Sequence, residues 1–499
     1  MRYIDYIQLN PFQKLGYNLS QFFKKLPGNI ARFFKFLGHA IVGFFVGIGK
    51  GFANYGKRFV KGDIFVKLSY LIFGLGNAAK GQIIKGLLFL LGEVAYICFM
   101  IFFGAHYISL FNTLGIVAKQ TVIDDLGFPK TEFIDNSMLI LLYGVVTIVV
   151  TIVFLVIYLA NTKSAYKAYE MKKEGKHLPT FKEEVKEFFD AKFHVTLMSV
   201  PCLLIGIFTI LPLVFMILIA FTSYDKQHLP PGNLFTWVGF SNFGDLVNVA
   251  KGARRATTFI SLAQWTIIWA IFATFTNYIL GMVVALMINK KGIKLKSLWR
   301  TLFVVVVAVP QFVSLLLMNQ MLQENGAMNH LLTLITGQTV AIKWLNSTAL
   351  MARITVIIIN IWIGIPYTIL ITSGILMNIP ADLYESATID GAGPVKSFFK
   401  ITLPYMLFVT TPYLITSFIG NINNFNVIYL LTNGGPTNPK LYQAGDTDIL
   451  VTWLFKLTMD QQDYKLAASL GILVFIVCAS LSLITFNMTK SAKDEEAFS

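Results

Sequence analysis

Charge of either sign, cysteine and buried acid are all scarce in this chain. Of 499 residues 13% are charged, against 55% hydrophobic and 14% aromatic, a balance that excludes an ordinary water-soluble enzyme and puts the chain in a bilayer. The three cysteines, Cys98, Cys202 and Cys478, each fall inside an apolar run. A disulfide framework and a cysteine metal site are therefore excluded. A phosphate loop of the form GxxxxGK[ST] needs its last hydroxyl to hold magnesium, and here Gly51, Gly56 and Lys57 are followed by Arg58. Ion-coupled carriers usually bury acids or bases near the bilayer midplane. Away from their mouths the apolar runs hold only Glu93 and His106, for which packing or snorkelling is the better account. No Ser/His/Asp or metal-ligand constellation is apparent. The formal charge of +15 then bears on membrane sidedness rather than on nucleic acid.

What is present is a series of long apolar runs. A 19-residue window finds eight, over 86–110, 137–160, 197–222, 264–289, 299–321, 352–377, 402–424 and 465–487. Each satisfies the roughly 20 residues needed to cross a bilayer core, so the expectation is an all-α polytopic membrane protein of about eight transmembrane helices. An even number leaves both termini on one side. That side collects 30 of the 41 lysines and arginines, which the positive-inside rule makes cytoplasmic. Residues Met1 to Leu19 hold no apolar stretch of the kind a cleaved signal peptide requires.

Residues 1–85 interleave Phe22, Phe23, Phe33, Phe34, Phe36, Phe44 and Phe45 with Lys24, Lys25, Arg32, Lys35 and Lys50, and contain two acids, Asp5 and Asp63. This is the composition of an interfacial amphipathic region lying on anionic lipid, with docking to a partner subunit as the alternative. Residues 161–195 carry Lys163, Glu170, Lys172, Lys173, Glu174, Glu183 and Glu184 at helical spacings. They read as a solvated helical hairpin.

The segment Asn378–Pro404 is more specific. Pro380 suits the start of a short helix, Gly391 can supply a left-handed C-terminal residue, and Pro394 can open a second helix before Pro404 leads into the next run. Small Ala387 and Ala392 permit close approach, and Glu385 and Asp390 offer polar contacts. A loop that only joins two spans needs no such design, so a docking surface is expected.

These residues resemble the EAA signature of ABC-importer permeases: Glu385, Ala387, Asp390, Gly391, Ala392, Phe398, Ile401, Leu403 and Pro404 match in register, with Ser386 in place of the middle alanine. The resemblance implies that Glu385, Ser386, Ala387, Asp390, Gly391, Ala392 and Phe398 dock into a separate cytosolic ATPase and pass its closure to the membrane helices. It extends over about 197–490 through Asn360–Tyr367, Ser417–Phe425, Leu431–Pro436 and Asp463–Ser469, which look like the larger permease subunit of maltose and maltodextrin importers. The segment 223–263 is too short for the large extracytoplasmic domain of the Gram-negative form, so the resemblance is to the Gram-positive one. The domains then read as 1–85 interfacial, 86–196 two N-terminal spans with their charged loop, 197–489 a type I ABC-importer permease core of six spans, and 490–499 a cytosolic tail.

Two runs carry polar stripes. Asn360, Gly364 and Tyr367 share one helix face, as do Ser417, Asn421 and Asn424. At about 1.5 Å per residue the stripes overlap in depth. Amides can both donate to and accept from sugar hydroxyls, which suits a neutral oligosaccharide, whereas helix packing through Asn, Ser and small residues explains the same pattern without one. By resemblance Asn360, Trp362, Gly364, Tyr367, Ser417, Asn421 and Asn424 belong to the sugar pocket. Val307, Gln311 and Gly420 stand where the maltose permease has tyrosine, serine and phenylalanine, which implies a roomier pocket.

The resulting expectation is a non-enzymatic permease subunit in a bacterial cell membrane, with no catalytic residue, metal or cofactor of its own. By resemblance it pairs with a second permease, two copies of an ATPase that carries ATP and Mg, and an extracellular lipid-anchored sugar-binding protein. Membrane lipid surrounds it, and no nucleic acid is bound. Another oligosaccharide, a galactoside or raffinose-type sugar, is the alternative cargo, and a self-contained secondary carrier the alternative class.

Overall fold

The computed structural model describes residues 53–123, 128–248, 253–290 and 292–488, with scattered positions between 28 and 51. The phenylalanines of the first 45 residues, their lysine and arginine neighbours other than Lys35, and the tail from residue 490 lie outside the described residues. Among the described residues seven helices are long and apolar enough to cross a membrane: α1 (Ile83–Leu110), α2 (Ser137–Lys173), α3 (Phe193–Ile219), α4 (Arg254–Asn289), α7 (Ala349–Met377), α9 (Pro394–Ile422) and α12 (Tyr464–Leu483). The remaining run, expected as one helix over 299–321, is α5 (Lys296–Ala308) and α6 (Gln311–Met321), bent by 86°. Pro310 explains the break. It has no amide to donate and drives Val309 out of the helical region, to ψ 124. Counting the bent pair as one span recovers the eight runs.

The chain divides into two compact units, one ending at Gly239 and the other running from Phe240. In the first, a helix over 53–61 precedes Ile64–Leu68, which Asp63 caps by accepting from the Val66 amide at 3.0 Å. Gly56 and Lys57, the part of the chain that falls short of a phosphate loop, are thus helical. The turn that follows is fastened to the spans by polar side chains. Asn161 of α2 accepts from the Gly74 amide and donates to the Ser69 carbonyl, both at 2.8 Å. Glu93 of α1 accepts from the Phe73 amide at 2.8 Å, so this acid, conspicuous in an apolar run, satisfies backbone. Gly74, at φ +75, crosses Gly86 so closely that neither position has room for a side chain.

Helix α2 has 37 residues and overshoots the bilayer requirement. After a turn the chain forms Phe181–Phe189, opened by a capping box between Thr180 and Glu183, which gives the expected charged hairpin. Lys85 at the start of α1 pairs with Glu184 at 2.5 Å. A two-stranded hairpin, β1 (Lys119–Ile123) and β2 (Pro129–Phe133), pairs Lys119 with Phe133 between α1 and α2. Helix α3, which the sequence division places with the permease core, packs beside α2. It contains a π turn over Gly206–Ile210 just before Pro212, where the missing proline amide would leave an α turn short of a donor.

In the second unit α4 and α7 run parallel in close contact. Small residues make this possible: a Cβ on Gly281 would lie 2.5 Å from Thr368. Trp265 and Trp269 of α4 and Val356 and Ile359 of α7 form a core with Leu315 of α6 and Val427, Ile428 and Leu431 of α10 (Phe425–Thr432). The connection from α10 to α11 (Leu450–Met459) is organised by Asp448. Fully buried, it accepts from the Gly445 amide at 2.7 Å and the Thr452 hydroxyl at 2.8 Å, and pairs with Lys456 at 2.7 Å. Arg353 donates to the Asp446 carbonyl at 2.8 Å while lying over the Trp265 ring at 4.5 Å.

Candidate functional site

The segment between α7 and α9 folds as its prolines and glycine dictate. Pro380 precedes α8 (Ala381–Ile389) as its cap. Gly391 takes φ +72, and the amides of Asp390, Gly391 and Ala392 donate to the carbonyls of Ser386, Thr388 and Ala387 at 3.0, 3.0 and 2.8 Å. That closes the helix C-terminus. Pro394 then starts the next helix after the Gly393 cap. A second separate short helix was expected here, but Pro394–Ser397 continues through a π turn, Phe398–Thr402, directly into the α9 span. Pro404 supplies the reason: it lacks the amide that would bond back to Lys400, and the wider turn lies at that point.

The loop is exposed on one side and anchored on the other. The Tyr384 hydroxyl meets the Thr402 hydroxyl at 2.8 Å, tying α8 to α9. Phe398 packs against the cluster of Tyr278 and Met282 of α4 with Met406 of α9. Outward stand Glu385 and Asp390, which make no ion pair among the described residues. Beside them Ile389 is 87% and Val395 71% exposed, with Leu383 and Phe399 also in the open. An apolar cup is lined by Pro394, Val395 and Phe399 and edged by Lys396 and Lys400. Bare Ile and Val in a polar loop were not singled out in the sequence, although their place in a charged segment was the available signal.

The seven residues that the resemblance assigns to the pocket stand in four different settings. Trp362 and Tyr367 of α7 are exposed and line a cavity of about 20 Å³ with Val306, Val309, Gln311 and Ser314. Of the two noted fifth-run positions, Gln311 lines it and Val307 is absent from the lining. Asn421 and Asn424 at the end of α9 are engaged: Asn421 Nδ2 donates to the Thr274 hydroxyl at 3.0 Å, and Asn424 Nδ2 donates to Asn421 Oδ1 at 3.2 Å. Asn424 also caps α10, its Oδ1 accepting from the Val427 amide at 3.4 Å. Ser417 is half-buried and Gly420 faces open space. Asn360 is 4% exposed, and its Nδ2 has no hydrogen-bond partner among the described residues. Gly364 abuts Asn277 of α4. Thr274 and Asn277, missed in the sequence, are spaced i, i+3 in a predominantly apolar run.

A family model described as binding-protein-dependent transport system inner membrane component matches residues 277–490. The galactooligosaccharides transport system permease protein of Bacillus subtilis (strain 168) is 35% identical over 433 residues, covering 85% of this chain and 97% of its own length. The maltodextrin transport system permease protein of the same organism is 33% identical over 434 residues, covering 85% and 95%. Among solved structures, a bacterial ABC transporter involved in the import of the acidic polysaccharide alginate aligns with 61% of this chain and 98% of the matched chain, at 22% identity and a TM-score of 0.49.

Proposed function

This chain belongs to the binding-protein-dependent transport system inner membrane component family, and we propose that it is one permease subunit of an ATP-driven oligosaccharide importer with maltodextrin as cargo. The observation that carries the coupling part is the α8–α9 loop. Its apolar residues Ile389 and Val395 and its acids Glu385 and Asp390 stand unpartnered on the surface among the described residues, while Phe398 roots the same loop in α4 and α9. A surface built that way suits capture by a cytosolic ATPase. The lysine and arginine distribution supports a cytoplasmic location for this loop and for both termini.

In the cycle that follows, two ATPase subunits holding ATP and Mg close and pull Glu385 to Phe398, together with the matching loop of a second permease. The bundle opens outward to a sugar delivered by a lipid-anchored binding protein. This chain catalyses nothing. It supplies half of the path, and Asn360, Trp362, Gly364, Tyr367, Ser417, Asn421 and Asn424 supply its sugar-facing groups. A galactooligosaccharide is the second cargo reading, supported by the 35% identical relative.

The test is reconstitution of the chain with its neighbouring permease, ATPase and binding protein, followed by labelled maltotriose uptake and ATP hydrolysis for wild type, Glu385→Lys and Asn421→Ala. The expected result is uptake that requires every subunit and fails with Glu385→Lys. Asn421→Ala is expected to lose sugar while keeping hydrolysis stimulated by the binding protein. Uptake by this chain alone, driven by an ion gradient and indifferent to Glu385→Lys, would overturn the importer reading. Galactotriose taken up in preference to maltotriose would replace only the cargo.

A further inference from the structure

The two polar stripes meet a third wall that the sequence did not mark. Helix α4 presents Thr274 to Asn421 of α9, and Trp269 Nε1 donates to the Asn421 carbonyl at 3.0 Å. One turn along, α4 presents Asn277 to Gly364 of α7. A Cβ on Gly364 would lie 2.5 Å from Asn277 Cγ. The room that Gly364 leaves on α7 is thus filled by an amide from α4.

Two buried atoms on this seam lack a hydrogen-bond partner among the described residues: Asn277 Oδ1, an acceptor, and Asn360 Nδ2, a donor. Asn360 precedes Gly364 by four residues on the same α7 face, a rise of about 6 Å. Unpaired amide atoms inside a span are costly, because no water replaces the missing partner. Packing alone gives no reason to keep them, since an apolar side chain of similar size would seal the seam without the cost. An unpaired acceptor on α4 and an unpaired donor one turn along α7 match two hydroxyls of a sugar, one donating and the other accepting.

Resting on the importer reading above, we infer that Asn277 is a specificity-determining residue for a neutral oligosaccharide. While α4 and α7 are closed it occupies the Gly364 notch. When they part, its Oδ1 accepts from one sugar hydroxyl and Asn360 Nδ2 donates to the oxygen of another. The seam then recognises the stereochemistry of the sugar hydroxyls, the feature in which glucose- and galactose-based oligosaccharides differ.

The test uses the whole importer in proteoliposomes and measures maltotriose and galactotriose uptake per assembled complex for wild type, Asn277→Leu, Gly364→Ala and the double variant Gly364→Ala with Asn277→Ala. Loss of one neutral hydrogen bond corresponds to roughly threefold to tenfold. Asn277→Leu is expected to lower uptake of the preferred sugar by that factor and to shift the ratio between the two sugars, which a packing role would leave alone. Gly364→Ala alone is expected to assemble poorly through collision with Asn277. The double variant, relieved of that contact, is expected to regain assembly but not the wild-type ratio. If it assembles and transports both sugars as wild type does, the inference is overturned and the importer reading stands. The double variant also carries the test should Asn277→Leu fail to assemble. A wild-type complex that hydrolyses ATP in response to its binding protein yet imports neither sugar overturns the oligosaccharide reading itself, and this inference with it.

Discussion

Replacing Gly391 with alanine isolates the conformational demand of the exposed turn. No atom lies within 4 Å of the place a Cβ would occupy, so the substitution meets no collision. What remains is the left-handed backbone at φ +72, which costs an L residue about 1–2 kcal/mol. Three amide hydrogen bonds, from Asp390, Gly391 and Ala392 to Ser386, Thr388 and Ala387, depend on that geometry. A cost of that size lowers the population of the closed turn about five- to thirtyfold. Hydrogen exchange measured on the full chain in lipid nanodiscs reads it directly: amides 390–392 are expected to exchange faster by that factor in Gly391→Ala. Gly391→Asn should fall between, since asparagine tolerates the left-handed region. ATP hydrolysis in the assembled importer is expected to decline in the same order. Equal exchange in the glycine and alanine forms would refute the reasoning, because the turn would then not need a left-handed residue.

Burying Ile389 and Val395 against an ATPase would remove two nearly bare side chains from water, each worth about 1.5–3 kcal/mol. Ile389→Asp with Val395→Asp is therefore expected to abolish co-purification of the ATPase while leaving the chain in the membrane; retention at wild-type level would remove this surface from the interface. Asn161→Ala leaves the Gly74 amide and the Ser69 carbonyl without their partner, at about 1–3 kcal/mol each, so a thermal midpoint in detergent should drop by several degrees. An unchanged midpoint would show that water replaces the amide. Acid should act on Asp63: burial pushes its carboxyl up, but the hydrogen bonds from Lys80 and the Val66 amide, with the Lys80 charge, outweigh burial and hold it below the usual range. Its contribution is then fully present above the unfolded carboxyl value near 4 and is lost as pH falls through the lower folded value. Hydrogen exchange over 63–68 should rise below about pH 4 in wild type, and Asp63→Asn should remove that rise.

Legibility followed the range of the signal. Hydropathy over 19 residues is a local sum, and each of the eight runs reappears as a helix or as the bent pair. Pro380, Gly391 and Pro394 act on their own backbone, so the α8 turn was readable as well. The break at Pro310 was available by the same reasoning but was hidden by the strong apolarity of the run around it. Pairings across distance were not readable. Glu93 looked like either a functional acid or a snorkelling one, and its partner is the Phe73 amide, twenty residues away. Asn161 reaches Gly74 across 87 residues. In the polar face, spacing found stripes on α7 and α9 but could not say that both abut α4, because helix periodicity names a face and not the neighbour it meets.

That shared neighbour bears on how a loop at one end of a bundle could act on a face deep within it. Phe398 packs against the cluster that Tyr278 and Met282 of α4 form with Met406 of α9. The Tyr278 hydroxyl meets the Thr410 hydroxyl of α9 at 2.7 Å, and further along the same two helices Asn421 meets Thr274. Helices α4 and α9 are thus joined by polar contacts at two levels above the loop. Close-packed elements joined in this way shift as bodies rather than bending residue by residue. A pull on Phe398 would then move Thr274 and Asn421 together and preserve their hydrogen bond. The seam between α4 and α7 differs in kind: at Asn277 and Gly364 its contact is steric, and the polar atoms beside it are unpaired. Among the described residues, opening it at that level breaks no hydrogen bond, the one between these helices being Asn289 Nδ2 to Ser373 Oγ at 3.4 Å, whereas α4 and α9 share three. If the loop drives opening, parting at the Asn277–Gly364 level of the α4–α7 seam is what would uncover the unmatched donor and acceptor.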